Sequence, residues 1–232
     1  MGLEINWEKV CQPSTRLSFL GVDIDCQKRT LALPLDKLQD VKDLVASSLT
    51  KKRFTKKDLQ KVIGQLNWCA RVVNGGCTFM RNLINQMMAL KSQHDHARLS
   101  AASKADLNWW STGLNVFHGH TPFVSDVALP SHVFATDACL SGGGASFGRD
   151  WFYVSWEIDF PESKNSHINQ LELQTVLVAA EKWGPLWRGQ HIKVRSDNMT
   201  TVASINKGTS RSVGLLAIVQ KLFWLSVEFG FK

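Results

Sequence analysis

Val133-Phe134-Ala135-Thr136-Asp137, Gly142-Gly143-Gly144-Ala145-Ser146-Phe147 and Trp151-Phe152-Tyr153-Val154-Ser155-Trp156 read as three short consecutive strands. The last two are joined through Gly148-Arg149-Asp150. A helix then runs from about Asn169 to Trp183, with Leu173, Val176, Leu177, Ala180 and Trp183 on one face. His191 to Ser196 alternates as a fourth strand. A short helix covers Asn198 to Ile205, and a longer one covers Leu215 to Phe229, with Leu216, Val219, Leu222, Phe223 and Val227 turned inward. The order β-β-β-α-β-α-α predicts an α/β unit built on a mixed sheet.

Upstream the pattern differs. Leu17 to Asp25 reads as a strand, Gln27-Lys28-Arg29 as a turn, and Thr30 to Leu33 as the returning strand of a small hairpin, stopped by Pro34. Leu35, Leu38, Val41, Leu44 and Val45 then recur at helical spacing. Thr55 is placed to cap a second helix, with Asp58 three residues on and Leu59, Val62, Ile63, Leu66 and Cys69 as its stripe. Asn74-Gly75-Gly76 ends it. Phe79 to Leu90 forms a third helix, and a fourth follows Ser103 with Leu107, Trp110 and Leu114 inward. His94 and His96 have no third ligand nearby and read as a polar loop. Loop chemistry between Gly119 and Pro130 places a boundary near residue 122, giving units 1–121 and 122–232.

Composition narrows the function classes. Of 232 residues, 44% are hydrophobic and 20% charged, which suits a packed core and excludes a disordered chain. No uncharged apolar run approaches the length of about 18 residues that a membrane helix needs. Met1 to Trp7 has neither the basic start nor the apolar run of a secretory signal. The five cysteines are odd in number and form no C-x-x-C, so the expectation is an intracellular protein with reduced thiols, cytoplasmic or nuclear. Formal net charge is +7, and its distribution is uneven. Residues 1–124 carry 17 Lys and Arg against 10 Asp and Glu, whereas residues 125–232 carry 10 of each. The densest stretch, Lys51-Lys52-Arg53 with Lys56, Lys57 and Lys61, suits a polyphosphate backbone as partner.

Three acids stand where chemistry is built in α/β sheets. Asp137 ends the first strand of the second unit, Glu172 lies in the first turn of its first helix, and Asp197 follows the fourth strand. Carboxylates converging on one rim repel unless cations neutralise them, and hard oxygen donors prefer Mg²⁺ or Mn²⁺. Two such ions about 4 Å apart can activate water and stabilise a leaving alkoxide, which is the arrangement of phosphodiester cleavage.

Ala135-Thr136-Asp137-Ala138, His167-Ile168-Asn169-Gln170-Leu171-Glu172-Leu173 and Val194-Arg195-Ser196-Asp197-Asn198 resemble the successive motifs of the ribonuclease H domain of reverse transcriptases. More narrowly, they resemble the DIRS-type retrotransposon branch. Gly2 to Lys9 and Phe19 to Asp25 are similar to the end of a reverse-transcriptase palm, and residues 35–117 to its helical thumb and connection. The resemblance implies two-metal hydrolysis of the RNA strand of RNA–DNA hybrids. In it Asp137 bridges two ions, and Glu172 and Asp197 complete one of them. Asn169 and Gln170 would meet the RNA minor groove, and Lys207 and Arg211 would touch phosphate, as would Lys52, Arg53, Lys56 and Lys57 in the first unit. His167 is expected to pack or cap. The chain holds no Asp-Asp pair of the kind a polymerase palm needs, so no polymerase site is expected. Related domains continue past the helix at 215–229 into a last strand and a helix with a fourth acid. The end at Lys232 therefore implies an incomplete domain, missing the remainder of a reverse-transcriptase polyprotein. The competing expectation is a non-catalytic remnant that binds nucleic acid through its basic half.

Overall fold

The computed structural model describes residues 6–7, 10–122 and 132–232. Residues 1–5 and 8–9 of the palm-like stretch and most of the boundary loop lie outside the described residues. The first half runs β1 (Arg16–Phe19), β2 (Val22–Asp25), β3 (Thr30–Ala32), α1 (Leu35–Thr50), β4 (Phe54–Thr55), α2 (Lys56–Cys69), α3 (Arg81–Ala89), β5 (His96–Ala97), α4 (Ala101–Val116) and β6 (His120–Pro122). The second half runs β7 (His132–Ala138), β8 (Gly142–Phe147), β9 (Asp150–Ser155), α5 (Ile168–Trp183), β10 (Ile192–Arg195), α6 (Met199–Lys207) and α7 (Val213–Phe229).

Leu17 to Asp25, expected as one strand, is a hairpin in its own right. Leu20 and Gly21 take positive φ values of 51° and 78°, the two-residue turn whose twist suits antiparallel partners. The expected hairpin is therefore a four-stranded antiparallel sheet in the order β1-β2-β3-β6, with Pro122 opposite Thr30.

The helices beside this sheet bury the stripes that the periodicity marks. Leu38, Val41, Val45, Leu59, Val62, Leu66, Leu83, Leu107, Trp110 and Leu114 share one core. Thr55 and Asp58 form a reciprocal capping box: Oγ1 of Thr55 accepts the Asp58 N–H at 3.0 Å, and the Asp58 carboxylate accepts the Thr55 N–H at 2.8 Å. The fourth helix starts one turn-length earlier than expected. Ser100, not Ser103, is its cap, its hydroxyl accepting the Ser103 N–H at 3.0 Å.

The second sheet has the order β10-β7-β8-β9, with only β10 and β7 parallel, the mixed sheet expected of a ribonuclease H-like unit. Alternation along β7 puts Phe134 and Thr136 on the inner face and leaves Val133, Ala135 and Asp137 outside. The inner face packs against α5 and the turn after it through Ala145, Val176, Ala179, Ala180, Trp183 and Trp187. Gly143 lets the helix approach, because a Cβ there would run into Thr175 and Trp156. Past α7 the chain returns to the sheet: the Lys232 N–H donates to Gln190 O at 2.9 Å and Lys232 O accepts the Ile192 N–H at 2.7 Å.

The helix α7 serves both halves. Leu215, Ile218 and Val219 pack with Leu173 and Leu177 of α5. On another side, Phe223 packs against the first core, edge-on to Phe79 at 5.3 Å and to Trp109 at 5.7 Å. Val227, expected to point inward, is exposed. Among the described residues, no helix is long and apolar enough to cross a membrane.

Candidate metal centre

The elements around the C-terminal end of β7 bring three acids together. Asp137 is the penultimate residue of β7, Glu172 lies on α5, and Asp197 lies between β10 and α6. One carboxylate oxygen from each lies within 4.8 Å of those of the other two. Asp137 and Asp197 are exposed, and Glu172 is buried at 4% exposure. Glu172 falls in the second turn of α5 rather than the first, because the helix opens at Ile168.

Burial is the main force raising the Glu172 pKa above the ordinary glutamate value. The like charges of Asp137 and Asp197 push the same way, and a hydrogen bond from the Ala138 amide pulls it partly back. Oε2 of Glu172 is fully buried and has no hydrogen-bond partner. An acceptor in that state is costly unless something cationic faces it. The donor set is three carboxylates with no thiol or imidazole among them, which fits a hard divalent ion such as Mg²⁺ or Mn²⁺.

Neighbouring side chains, Asn198 and Asn169, tie the elements that carry two of the acids. Asn198 caps α6, its Oδ1 accepting the N–H groups of Thr200 and Thr201, each at 3.0 Å. Its Nδ2 donates to Oδ1 of Asn169 at 2.9 Å, tying the start of α6 to the start of α5. That link fixes Asp197, which precedes Asn198, beside Glu172. The helix expected from Asn198 is thus α6, with Asn198 as its cap. His167, expected to pack or cap, caps α5, its Nδ1 accepting the Asn169 N–H at 3.2 Å.

The other site residues fall in three places. Asn169 is half-buried and engaged with Asn198, and Gln170 is half-buried with its side chain against Gly214 at the start of α7. Lys207 and Arg211 are exposed on either side of the α6–α7 turn, where Gly208 takes a φ of 60°. Lys52, Arg53, Lys56 and Lys57 lie around the start of α2, in the first half. Lys52, Arg53 and Lys57 are exposed, whereas Lys56 donates to Leu90 O at 2.8 Å.

A shallow cleft of about 380 Å³ opens beside Asp137, lined by Ala135 to Cys139, Gly142 to Ser146 and Tyr153. Gly142 sits beneath Tyr153, since a Cβ on it would run into the phenol.

No protein-family model matches the chain, and no curated protein matches it. Among solved structures, it is similar to the foamy viral protease-reverse transcriptase dRH in complex with ds DNA, at 14% identity and TM-score 0.37, covering 94% of this chain and 37% of that one. It is also similar to the foamy viral protease-reverse transcriptase in complex with RNA/DNA hybrid, at 14% identity and TM-score 0.38, covering 94% of this chain and 28% of that one. A third similar structure is the same viral protein with dsDNA, at 16% identity and TM-score 0.38, covering 82% of this chain and 38% of that one. The chain thus spans between about a quarter and two fifths of the proteins it matches.

Proposed function

We propose that the chain is a reverse-transcriptase-derived unit whose second half hydrolyses the RNA strand of RNA–DNA hybrids with two divalent ions. The observation that carries this reading is the convergence of Asp137, Glu172 and Asp197 from three separate elements within 4.8 Å. Among the described residues no ion pair reaches any of the three, so the cluster has no protein cation of its own. Asp137, Glu172 and Asp197 would hold the ions, which when bound would activate the attacking water and stabilise the leaving oxygen. The chain's own part is to fix the donors: β7 sets Asp137, the Asn198–Asn169 link sets Asp197, and α5 presents Glu172 from a dry side.

The test is cleavage of a fluorescent RNA–DNA hybrid in Mg²⁺ or Mn²⁺. Cleavage by the natural sequence that falls to background in Asp137→Asn is expected. No cleavage, or cleavage that survives the substitution, refutes the reading. A second reading, nucleic-acid binding without hydrolysis, is favoured by exposed Lys52, Arg53 and Lys57 around the start of one helix. It predicts hybrid binding with no cleavage in either metal.

A further inference from the structure

The outer face of the second sheet, the face away from α5, carries side chains that the acid cluster does not use. Strand register places Asp137 opposite Gly144 and Gly144 opposite Tyr153, so the three form one row across the sheet. The next row runs Arg195, Ala135, Ser146 and Trp151. Between the two edges the floor is mostly small, Gly142, Gly144, Ala135 and Ser146, with Asp137 among them and Val133 beside Lys193. One edge is aromatic, with Trp151 69% and Tyr153 61% exposed. The other is cationic, with Lys193 and Arg195 both exposed.

Two large aromatics standing free at i and i+2 on an edge strand are an aggregation hazard that soluble proteins normally blunt. Nothing else in the described chain covers them. The Tyr153 hydroxyl has no hydrogen-bond partner among the described residues. Tyr153 is also part of the wall of the cleft that opens on Asp137, two strand spacings away, or about 10 Å between backbones. Aromatic faces accept bases and sugars without regard to sequence, and guanidinium groups accept phosphate. A flat floor of small residues between such edges leaves room for a strand to lie.

We propose that Tyr153 is a substrate-positioning residue, stacking on a nucleotide close to the cleaved phosphate, and that the outer sheet face from Trp151 and Tyr153 across to Arg195 is the track for that strand. The ligand class is a polynucleotide, with the ring of Tyr153 supplying the contact and its hydroxyl a secondary one. This rests on the acid cluster being a nuclease centre, and the experiment separates the two ideas.

Fluorescence polarisation with a labelled RNA–DNA hybrid would be measured in Mg²⁺ for Asp137→Asn, which blocks cleavage, alone and combined with Tyr153→Ala or Tyr153→Phe. Thermal melting of each protein accompanies it. The expected result is that Tyr153→Ala weakens binding by about fivefold or more, the loss a removed base–aromatic stack gives, while Tyr153→Phe restores it. Equal affinity for the Ala and Tyr proteins overturns the proposal, as does hybrid binding absent from all of them. A ring that merely shields the glycine strand would lower the melting temperature of Tyr153→Ala and leave affinity unchanged, which also overturns it. If the natural sequence binds hybrid but never cleaves it, the nuclease reading falls, yet a fivefold loss in Tyr153→Ala still upholds the track.

Discussion

Replacing Glu172 with Gln should make the metal-free protein more stable near neutral pH. In the native cluster, Glu172 faces Asp137 and Asp197 with carboxylate oxygens no more than 4.8 Å apart. Taken at a water-like dielectric, the weakest case the exposed partners allow, each like-charge pair costs about 0.9 kcal/mol, and the burial of Glu172 adds to that. Removing the Glu172 charge relieves two such pairs, about 2 kcal/mol in all, and gives the buried Oε2 position an amide able to donate to the aspartates. For a chain of this length that corresponds to about 4–8 °C in melting temperature. The pH dependence has a defined sign. The folded pKa of Glu172 lies above its unfolded value, so the folded chain favours the protonated acid. The native protein therefore gains stability as pH falls through the folded pKa, and the penalty is complete only above it. The advantage of Glu172→Gln should vanish at about pH 4, near the ordinary glutamate value, grow as pH rises, and be full only above the folded pKa. Adding Mg²⁺ should stabilise the natural sequence more than the variant, reversing their order at high concentration. Calorimetry with chelator, then with Mg²⁺, at both pH values reads all of this. A Gln variant that melts lower than the natural sequence in chelator near neutrality, or one whose advantage persists in acid, refutes the electrostatic account.

The other predictions concern the joint between the halves and the basic helix. Asp106 is fully buried, accepting from the Asn82 backbone and side chain, each at 3.0 Å, and from Gln220 Nε2 at 3.2 Å. Asp106→Ala strands those donors and should cost about 3 kcal/mol in urea unfolding; a loss below about 1 kcal/mol would contradict the assignment. Gly75 has a φ of 82°, and a Cβ there would strike the Phe223 ring. Gly75→Ala should therefore cost about 2 kcal/mol more than Gly148→Ala, whose φ of 63° opens on free space, and equal losses would show that the ring contact carries no weight. Changing Lys52, Arg53 and Lys57 to Gln should lower the salt slope of hybrid binding by about 0.9 for each phosphate that is no longer neutralised, and an unchanged slope would remove these residues from the interface.

Much of the architecture is legible because burial demands periodicity. The sheet strands at 133–156 and the stripe of α5 can be read from alternation and helical spacing, since each element must hide one face. Where pattern and structure part, a local choice is made by a contact that lies far off in sequence or by an unfavoured residue. Leu20 gives no turn signal, because a leucine at a φ of 51° is uncommon, so the pattern shows one strand where two exist. Val227 shares the side of α7 that carries Gln220 and Phe223, yet it is exposed, because it lies a turn beyond the residues that reach the first half. Asp106 carries no sequence mark of burial, and partners far off in sequence, Asn82 and Gln220, 24 and 114 residues away, help make it possible. The acid triplet is legible as types and order; its proximity comes from the parallel pairing of β10 with β7 and the packing of α5 on the sheet, reinforced by the Asn198–Asn169 link, and no spacing rule contains these.

The placement of α7 carries a consequence for how the molecule comes apart. One face of this helix completes the packing around α5, while Phe223 and Gln220 belong to the neighbouring half. Neither half can shed the helix without exposing its own interior, so a single melting event on heating or in denaturant is expected. The shared helix ties the two halves into one unit.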